Sequence, residues 1–408
     1  MEYPDKILAI VLAGGEGSRL NPLTAHRSKP AVPFGGQYRL VDFVISNLIN
    51  SGVGSIYVLV QYKSQSLIEH MHKAWEPSRV STGEFVMEVP PQRHSGDDWF
   101  QGTANAVYQN LTLLERHHPK LVAIFGADHV YRMDVRQMME FHCEKKADVT
   151  VAARSVPLEE AISFGVLETD EEGRICAFHE KPPQPKPMPG DSNKAYVSMG
   201  NYLFDAEKLL AIVQDSHKLG EIDFGKEILP RLFQTHRLFA YDFATSEMPG
   251  VKAYEERAYW RDVGTIESYW KAHQDLLGRQ PRFDLFNPQW PIRSSRYDGP
   301  CAKIMGRCVE DSLIGSATWI DGAVVRRSIV GREVMLEEDV ELDECIILDY
   351  VKIEKGSRLR RTIVDKQNVI EAGSAIGFDP EKDARQYYVD PSGITVVPRG
   401  TRQISLVY

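Results

Sequence analysis

Five cysteines in 408 residues, odd in number and without a C-x-x-C pair, leave no basis for a disulfide framework or a zinc motif. They point to a reducing, cytoplasmic setting. Long hydrophobic runs are missing as well. The longest apolar stretch near the start, Ile7–Ala13, falls far short of the roughly 20 residues that span a bilayer. It has no basic flank and runs straight into Gly14-Gly15, so a signal peptide is not expected. Positive charge is also in deficit. With 48 Lys and Arg against 57 Asp and Glu, the net charge is −9, and neither nucleic acid nor an anionic membrane surface is expected as a partner. Neither standard nucleotide fingerprint is matched: the glycine cluster at 14–17 lacks the Lys-Ser/Thr of a P-loop, and the third glycine of the dinucleotide motif is missing from the Ser18-Arg19-Leu20 that follows. The composition itself is that of a core-forming chain, 43% hydrophobic and 26% charged. At about 150 residues per domain the length suggests two or three domains.

The organisation changes once along the chain. Lys6–Ala13, Ser55–Val60, Leu121–Phe125 and Val149–Ala153 read as strands. Leu40–Asn50, Ser64–Ala74, Thr103–Arg116 and Val135–Lys145 read as helices, with Val41, Ile45, Leu48 and Ile49 on one face of the first. Such alternation predicts an α/β, Rossmann-like domain with a mostly parallel sheet, whose ligands sit at the carboxyl ends of the strands. The proline-rich stretch 181–190 reads as a loop within this domain, because patterned sequence resumes after it. The expected boundaries are 1–277 for the first domain, 278–300 for a linker and 301–408 for a second domain. In the second, Ser312-Leu313-Ile314, Ser328-Ile329-Val330, Cys345-Ile346-Ile347 and Thr362-Ile363-Val364 recur at spacings of 16, 17 and 17 residues. That register predicts a left-handed parallel β-helix of loose hexapeptides, with a β-sandwich as the alternative.

Candidate chemistry clusters after the first-domain strands. Gly14, Gly15 and Gly17 free backbone N–H groups to approach an anion, and Arg19 adds a fork of donors, an arrangement suited to a triphosphate. Lys29 brings a second cation ten residues on. Asp128, just beyond the strand Leu121–Phe125, is placed to hold Mg²⁺ on substrate phosphates, and Asp262 is a possible partner. Glu180-Lys181 follows another strand-like stretch, suited to sugar hydroxyls and a sugar phosphate. Each feature alone equally fits a turn, a helix cap or surface charge.

Together they carry a resemblance. The blocks VLAGGEGSRLNPLT (11–24), KPAVPFGGQYRLVDFVISNLINSG (29–52), WFQGTANAV (99–107), GADHVYRMD (126–134), FHEKP (178–182), SMGNYLF (198–204), DFGKEILP (223–230) and YWRDVGTIESYW (259–270) stand in one order. In these the chain resembles the sugar-nucleotide pyrophosphorylases, specifically the bacterial-type glucose-1-phosphate adenylyltransferases, over nearly its whole length. The resemblance implies adenylyl transfer from ATP to glucose 1-phosphate with Mg²⁺, for glycogen or another α-glucan. It implies that Arg19, Lys29 and Asp128 are catalytic and that Asp128 and Asp262 bind the metal. ATP would be held by Leu12, Ala13, Gly14, Gly15, Gly17, Arg19, Lys29, Gln61, Gln101 and Gly102. Glucose 1-phosphate would be held by Gly165, Glu180, Lys181, Ser198, Asp223 and Trp260, with Lys226 in support. It also implies a homotetramer and a phosphorylated metabolite effector, with Arg27, Arg39, Lys366, Arg399 and Arg402 at or near anion-contacting positions.

Two departures stand out: Asn105 where the family commonly has Asp, and His26 where several members have Lys at the activator site. Three competing readings are weaker. A silent regulatory subunit would have lost key charges, yet Arg19, Lys29, Asp128, Lys181 and Asp262 are all present. A hexapeptide acyltransferase would place a histidine in its coils, and residues 301–377 contain none. The bifunctional uridylyltransferases carry different loop residues and a longer helical stack.

Overall fold

The computed structural model describes residues 7–75, 84–91, 99–305 and 307–401. Strand Ile7–Ala13 pairs in parallel with Ser55–Val60 on one side and Leu121–Gly126 on the other, and Phe85–Val89 extends the parallel run. These strands are apolar with little alternation because both faces of the sheet are covered. Ala9, Val11 and Ala13 face Val41, Val44, Ile45 and Leu48 of helix Leu40–Asn50. Leu8 and Ile10 face the opposite layer, where helix Ala206–Leu219 contributes Leu209, Ile212 and Val213.

Beyond Leu121–Gly126 the nine-stranded sheet becomes mixed. Lys194–Asp205 joins antiparallel, followed by Val149–Pro157 and the pair Gly165–Thr169 and Ile175–Glu180. The register of Lys194–Asp205 shifts between Ser198 and Tyr202, where Gly200 takes φ +72°. This bulge bends the strand beside the central crevice. The helix expected over 103–116 is two, Thr103–Tyr108 and Leu111–His117. The Asn110 side chain donates to the Ala106 carbonyl at the break, the local competition with the helix ladder that makes Asn a poor interior residue.

The second domain is three parallel sheets of short strands that stack coil on coil. The recurring aliphatic quartet forms one of these sheets in the expected register: Leu313 pairs with Ile329, Ile329 with Ile346, and Ile346 with Ile363. Its interior is filled by Ile320, Val325, Leu336, Leu342, Ile353 and Leu359. The left-handed hexapeptide β-helix is therefore the scaffold of this half.

One apolar cluster crosses between the halves. Phe34, Tyr269 and Phe283 pack with Ile329, Ile346 and Ile363, and the Trp270 indole donates to the Glu344 carbonyl. The segment 278–300 forms no regular element but is strapped along helix Leu40–Asn50. Trp290 and Ile292 are buried, Arg293 N bonds Ser46 Oγ at 2.8 Å, and Asn50 Nδ2 bonds Pro291 O at 3.0 Å.

His273 sits in this seam. Its ring lies 4.2 Å from that of Phe34, Nε2 accepts from Gly35 N and Nδ1 donates to Tyr269 O. Burial pushes its pKa down to about 3, against roughly 6.5 in an unfolded chain. Between those values the unfolded chain takes up a proton that the folded one refuses. Stability from this group is complete above about pH 6.5 and declines as pH falls, by about 1.4 kcal/mol per unit. His273→Gln should flatten the stability–pH slope between pH 6.5 and 4 by about that amount. Urea unfolding at stepped pH measures it, and an unchanged slope would contradict the assignment.

Candidate active site

The carboxyl ends of the three central parallel strands open on a cleft of about 370 Å³. Ile7–Ala13 delivers Gly14 and Gly15, Ser55–Val60 delivers Gln61, and Leu121–Gly126 delivers Asp128. Leu12, Lys29, Gln101, Gly102 and Asp223 also line it. Ala13 points instead into the core, and Gly17 lies beneath Lys29.

Lys29 is the centre of charge. Its side chain is only 7% exposed, and Nζ donates to Asp128 Oδ2 at 2.9 Å and to Asp262 Oδ1 at 2.8 Å. Ser28 stands at the N-cap position of the short 3₁₀ turn Lys29–Ala31 without a side-chain capping bond, and Pro30 fits a helix start. Gly17 has φ +68°, and a Cβ there would stand 2.8 Å from Lys29 Cβ. Glycine is thus required both by the backbone conformation and by the approach of the lysine stem. Burial works against the Lys29 ammonium, but Asp128 and Asp262 outweigh it and its pKa is raised. Although burial pushes the other way, Lys29 and His129 hold the Asp128 carboxyl well below the usual range.

Asp262 reaches this point through a two-stranded antiparallel sheet in which it pairs with His129. Arg261, on the other side of that strand, is fixed by Glu256 and Asp275. Ala127 N bonds Leu12 O, tying the Asp128 loop to the central strand. Asp128, His129 and Asp262 offer ligand atoms within 4.8 Å of one another. The two carboxylates suit a hard divalent cation, whereas imidazole suits softer metals better. Arg19 is exposed at the rim, where a side chain on Gly264 would meet its Nη2 at 3.0 Å.

Gln61 does not present a free amide. Its Nε2 donates to Phe100 O and its Oε1 accepts from Phe100 N, a two-point clamp on the loop that carries Gln101 and Gly102. Asn105 Oδ1 accepts from Gln101 N and Gln109 Nε2, acceptor work that an Asp oxygen also performs. A Cβ on Gly102 would lie 2.4 Å from Ile222 O, so the two loops touch here.

Gly165, Glu180, Ser198 and Asp223 adjoin the cleft around Tyr202. A Cβ on Gly165 would lie 3.1 Å from Glu180 Oε2. Burial pushes the Tyr202 phenol up to about 12, Asp223 and Glu180 adding to the effect and Ser198 opposing it. Asp223 already caps Phe224–Ile228, accepting from Gly225 N and Lys226 N, and takes a bond from Thr103 Oγ1. Lys181 is exposed, 3.6 Å from Glu180. Trp260 is buried behind His129, its ring centre 4.6 Å away, and does not face the cleft.

A second charged group lies at the seam. Arg27, 3% exposed, bonds both oxygens of Asp365 at 2.8 and 3.0 Å. Arg39 donates to Ser66 O and Oγ, and Lys366 donates to Asp349 at 2.6 Å. Burial pulls the Arg39 pKa down to about 10, with Arg27 repulsion adding to it. Lys366 is lowered by burial, against Asp349 and with Arg39 and Arg27. Arg399 is exposed and bonds Gln367, and Arg402 lies outside the described residues. The sequence pattern missed His129, Tyr202 and the acid partners of this cluster. His129 adjoins Asp128, but nothing local marks its role, and Asp349 and Asp365 sit in ordinary repeat turns.

The fold and site have relatives. Residues 8–279 match the nucleotidyl transferase family and 302–397 the GlmU-like C-terminal hexapeptide family. The chain is 52% identical to a glucose-1-phosphate adenylyltransferase of Thermodesulfovibrio yellowstonii, over 97% of each chain. It is 45% identical to glucose-1-phosphate adenylyltransferase 1 of Vibrio parahaemolyticus, over 97% of this chain and 98% of that one. A glucose-1-phosphate adenylyltransferase of Anaeromyxobacter sp. matches at 45%, over 97% and 99%.

Removing one member of a buried ion pair leaves the other uncompensated, at a cost of about 3–5 kcal/mol, whereas replacing both with apolar groups is often neutral. Asp365→Ala should therefore lower thermal stability sharply, and Arg27→Met with Asp365→Leu should restore most of the loss. Calorimetry of the three proteins decides it, and a harmless Asp365→Ala would refute the pairing.

Proposed function

The chain belongs to the nucleotidyl transferases, among the glucose-1-phosphate adenylyltransferases, and on that premise we propose how its residues divide the work. The enzyme converts ATP and α-D-glucose 1-phosphate to ADP-glucose and pyrophosphate, the sugar donor for glycogen or another α-glucan. The observation that carries the assignment of roles is Lys29 between Asp128 and Asp262 at the head of the glycine-lined cleft.

The triphosphate lies along the backbone of Gly14, Gly15 and Gly17, with Arg19 at its rim. The adenine occupies the part of the cleft walled by Leu12, Gln101 and Gly102, a wall held in place by Gln61. Glucose 1-phosphate enters from the side of Gly165, Glu180 and Ser198. Lys181 meets its phosphate, Asp223 and Lys226 shape the loop beside it, and Trp260 backs His129. An oxygen of the sugar phosphate attacks the α-phosphorus in line and pyrophosphate leaves. Bringing two anions together makes this a task of positioning and charge neutralisation, and no covalent nucleophile is needed. Asp128 and Asp262 would hold Mg²⁺, which supplies charge neutralisation on the phosphates. Lys29 and Arg19 provide the remaining positive charge from the protein.

The seam cluster is the proposed effector site. Arg27, Arg39 and Lys366, with Arg399 and Arg402 beyond, would bind a phosphorylated metabolite through charge-assisted bonds from both halves. The mutual repulsion of Arg27, Arg39 and Lys366, which adds to burial in lowering the Arg39 and Lys366 pKa values, supports this, because an added anion would relieve it. Exposed Phe286, Ile304 and Met305 around the first coil support assembly into a homotetramer, which sedimentation would test. No helix among the described residues is long and apolar enough to cross a membrane, and all five cysteines are free thiols, in keeping with a cytoplasmic enzyme.

With glucose 1-phosphate and Mg²⁺, ATP should exceed UTP, dTTP, GTP and CTP at least tenfold in kcat/KM, or about 1.4 kcal/mol. Pyrophosphate release measures this, and equal use of another nucleotide would overturn the substrate. Asp128→Asn should lower kcat by orders of magnitude, whereas Lys181→Ala should mainly raise the KM for glucose 1-phosphate. Interchanged profiles would mean the roles are misassigned.

At least one phosphorylated glycolytic intermediate should activate the enzyme, and Arg39→Ala or Lys366→Ala should blunt that response while the basal rate largely survives. A coupling of about 1–3 kcal/mol is typical. His26 leads us to expect a preference unlike that of members with Lys there. Activity screens with sugar phosphates and triose acids test it: no response to any of them removes the site.

A further inference from the structure

Asp128 and Asp262 are proposed above as the metal-holding pair, yet Lys29 already stands between them. Its Nζ lies 2.9 Å from Asp128 Oδ2 and 2.8 Å from Asp262 Oδ1. We propose that Lys29 is an internal counter-ion that keeps this acidic pair closed to free divalent metal, and that it releases the pair when a triphosphate arrives to take the ammonium. The inference rests on the metal-binding reading of Asp128 and Asp262 and adds an order of events to it.

The geometry leaves little alternative to competition. A divalent ion that takes the two oxygens now bonded to Lys29 must displace the ammonium. One that takes the outer oxygens lies within a few ångströms of it and meets the repulsion of a buried ammonium, the lysine being only 7% exposed. Gly17 packs close beneath the base of the stem, where a side chain would come within 2.8 Å of Lys29 Cβ, so any movement is made by the outer part of the side chain. The open direction is the cleft, which Lys29 lines with Gly14 and Gly15. A polyphosphate seated on those glycines offers the ammonium a new partner there. Two carboxylates and one lysine carry a net charge of −1, so a lone divalent ion meets a pair already half neutralised. A triphosphate that draws Lys29 away exposes the full charge of −2. Metal and nucleotide then assist each other through one side chain, and by linkage the assistance is reciprocal. The arrangement also explains why two ionised carboxylates stand this close in the free protein.

The test uses Mn²⁺ alone as the probe, by equilibrium titration with electron paramagnetic resonance detection on the full chain without nucleotide. Wild type should bind Mn²⁺ weakly at this site, and Lys29→Met should bind at least tenfold more tightly, with the gain removed by Asp262→Asn. Lys29→Gln, which keeps hydrogen bonding to the carboxylates but not the charge, should also bind more tightly and serves if the methionine variant does not fold. Mass-spectrometric reductive methylation gives a reading on unaltered protein: saturating inorganic tripolyphosphate should speed labelling of Lys29 as the ammonium leaves the pair, and slower labelling counts against release. Equal Mn²⁺ affinity in wild type and both variants, all sensitive to Asp262→Asn, would overturn the counter-ion role while leaving the metal pair standing. Mn²⁺ binding indifferent to both Asp128→Asn and Asp262→Asn would overturn the metal reading and this inference with it. A Lys29 labelling rate unmoved by tripolyphosphate would overturn release.

Discussion

Two carboxylates within a few ångströms of each other, out of full contact with water, stay ionised together only when positive charge stands between them; otherwise one takes up a proton. Lys29 meets that requirement for Asp128 and Asp262, and much of the first half of the chain serves to bring the three together. Asp128 comes from the end of a central parallel strand, Lys29 from a proline-stiffened turn, and Asp262 from a short strand laid antiparallel on His129–Tyr131. Each approach has its own brace: Ala127 N on Leu12 O, Gly17 under the lysine stem, and Arg261 locked by Glu256 and Asp275. The site is placed by backbone pairing rather than by mobile loops, which suits a reaction whose acceleration comes from alignment of two phosphates.

Among the described residues the second half contributes none to the cleft lining, yet it is not an appendage. Its aliphatic coils complete a core with Phe34 and Tyr269, and the segment 278–300 runs back along helix Leu40–Asn50 before the first coil begins. Asp42 shows how tightly these pieces are joined. One buried carboxylate accepts from His70, Trp75, Ser294 and the Arg39 backbone N–H, linking two helices, the connecting segment and the seam. Its pKa is lowered because these donors, His70 foremost, outweigh burial. Such a saturated carboxylate resists separation of the elements it joins.

Much of this was legible in the chain itself. Ile7–Ala13 and Leu121–Gly126 declare themselves because strands buried on both faces are apolar throughout, and the coils do so because each repeats one aliphatic pair in register. Asp128 was marked by its place after a strand. What escaped were facts of long-range pairing. Thr103–Arg116 looks continuous by periodicity, yet the helix is interrupted at Gln109-Asn110, where the Asn110 side chain bonds the Ala106 carbonyl. Gln61 is assigned to the adenine pocket by resemblance, but its amide is spent on Phe100. Asp223 carries the local signature of a helix cap, and it is one. The partner of Arg27, Asp365, lies in the other domain, and no pattern of composition or spacing points to it.

The two charged groups are closer than their separate descriptions suggest. Arg27, paired with Asp365 across the seam, is two residues from Lys29, paired with Asp128 and Asp262 in the cleft. Ser28 between them is fully buried, and Pro30 follows in a turn closed by Ala31 N on Ser28 O. A chain this short and this enclosed has few ways to absorb a shift at one end without moving the other, since packed interiors yield in discrete rearrangements rather than by stretching. Proximity alone transmits nothing: an anion at the seam alters the cleft only to the extent that it binds one arrangement of Arg27 better than another. The geometry meets the structural half of that condition, with a buried arginine whose Nη1 finds no acceptor among the described residues while Nη2 donates to both oxygens of Asp365. The same short segment that neutralises the acidic pair therefore also carries the buried ion pair to the second domain.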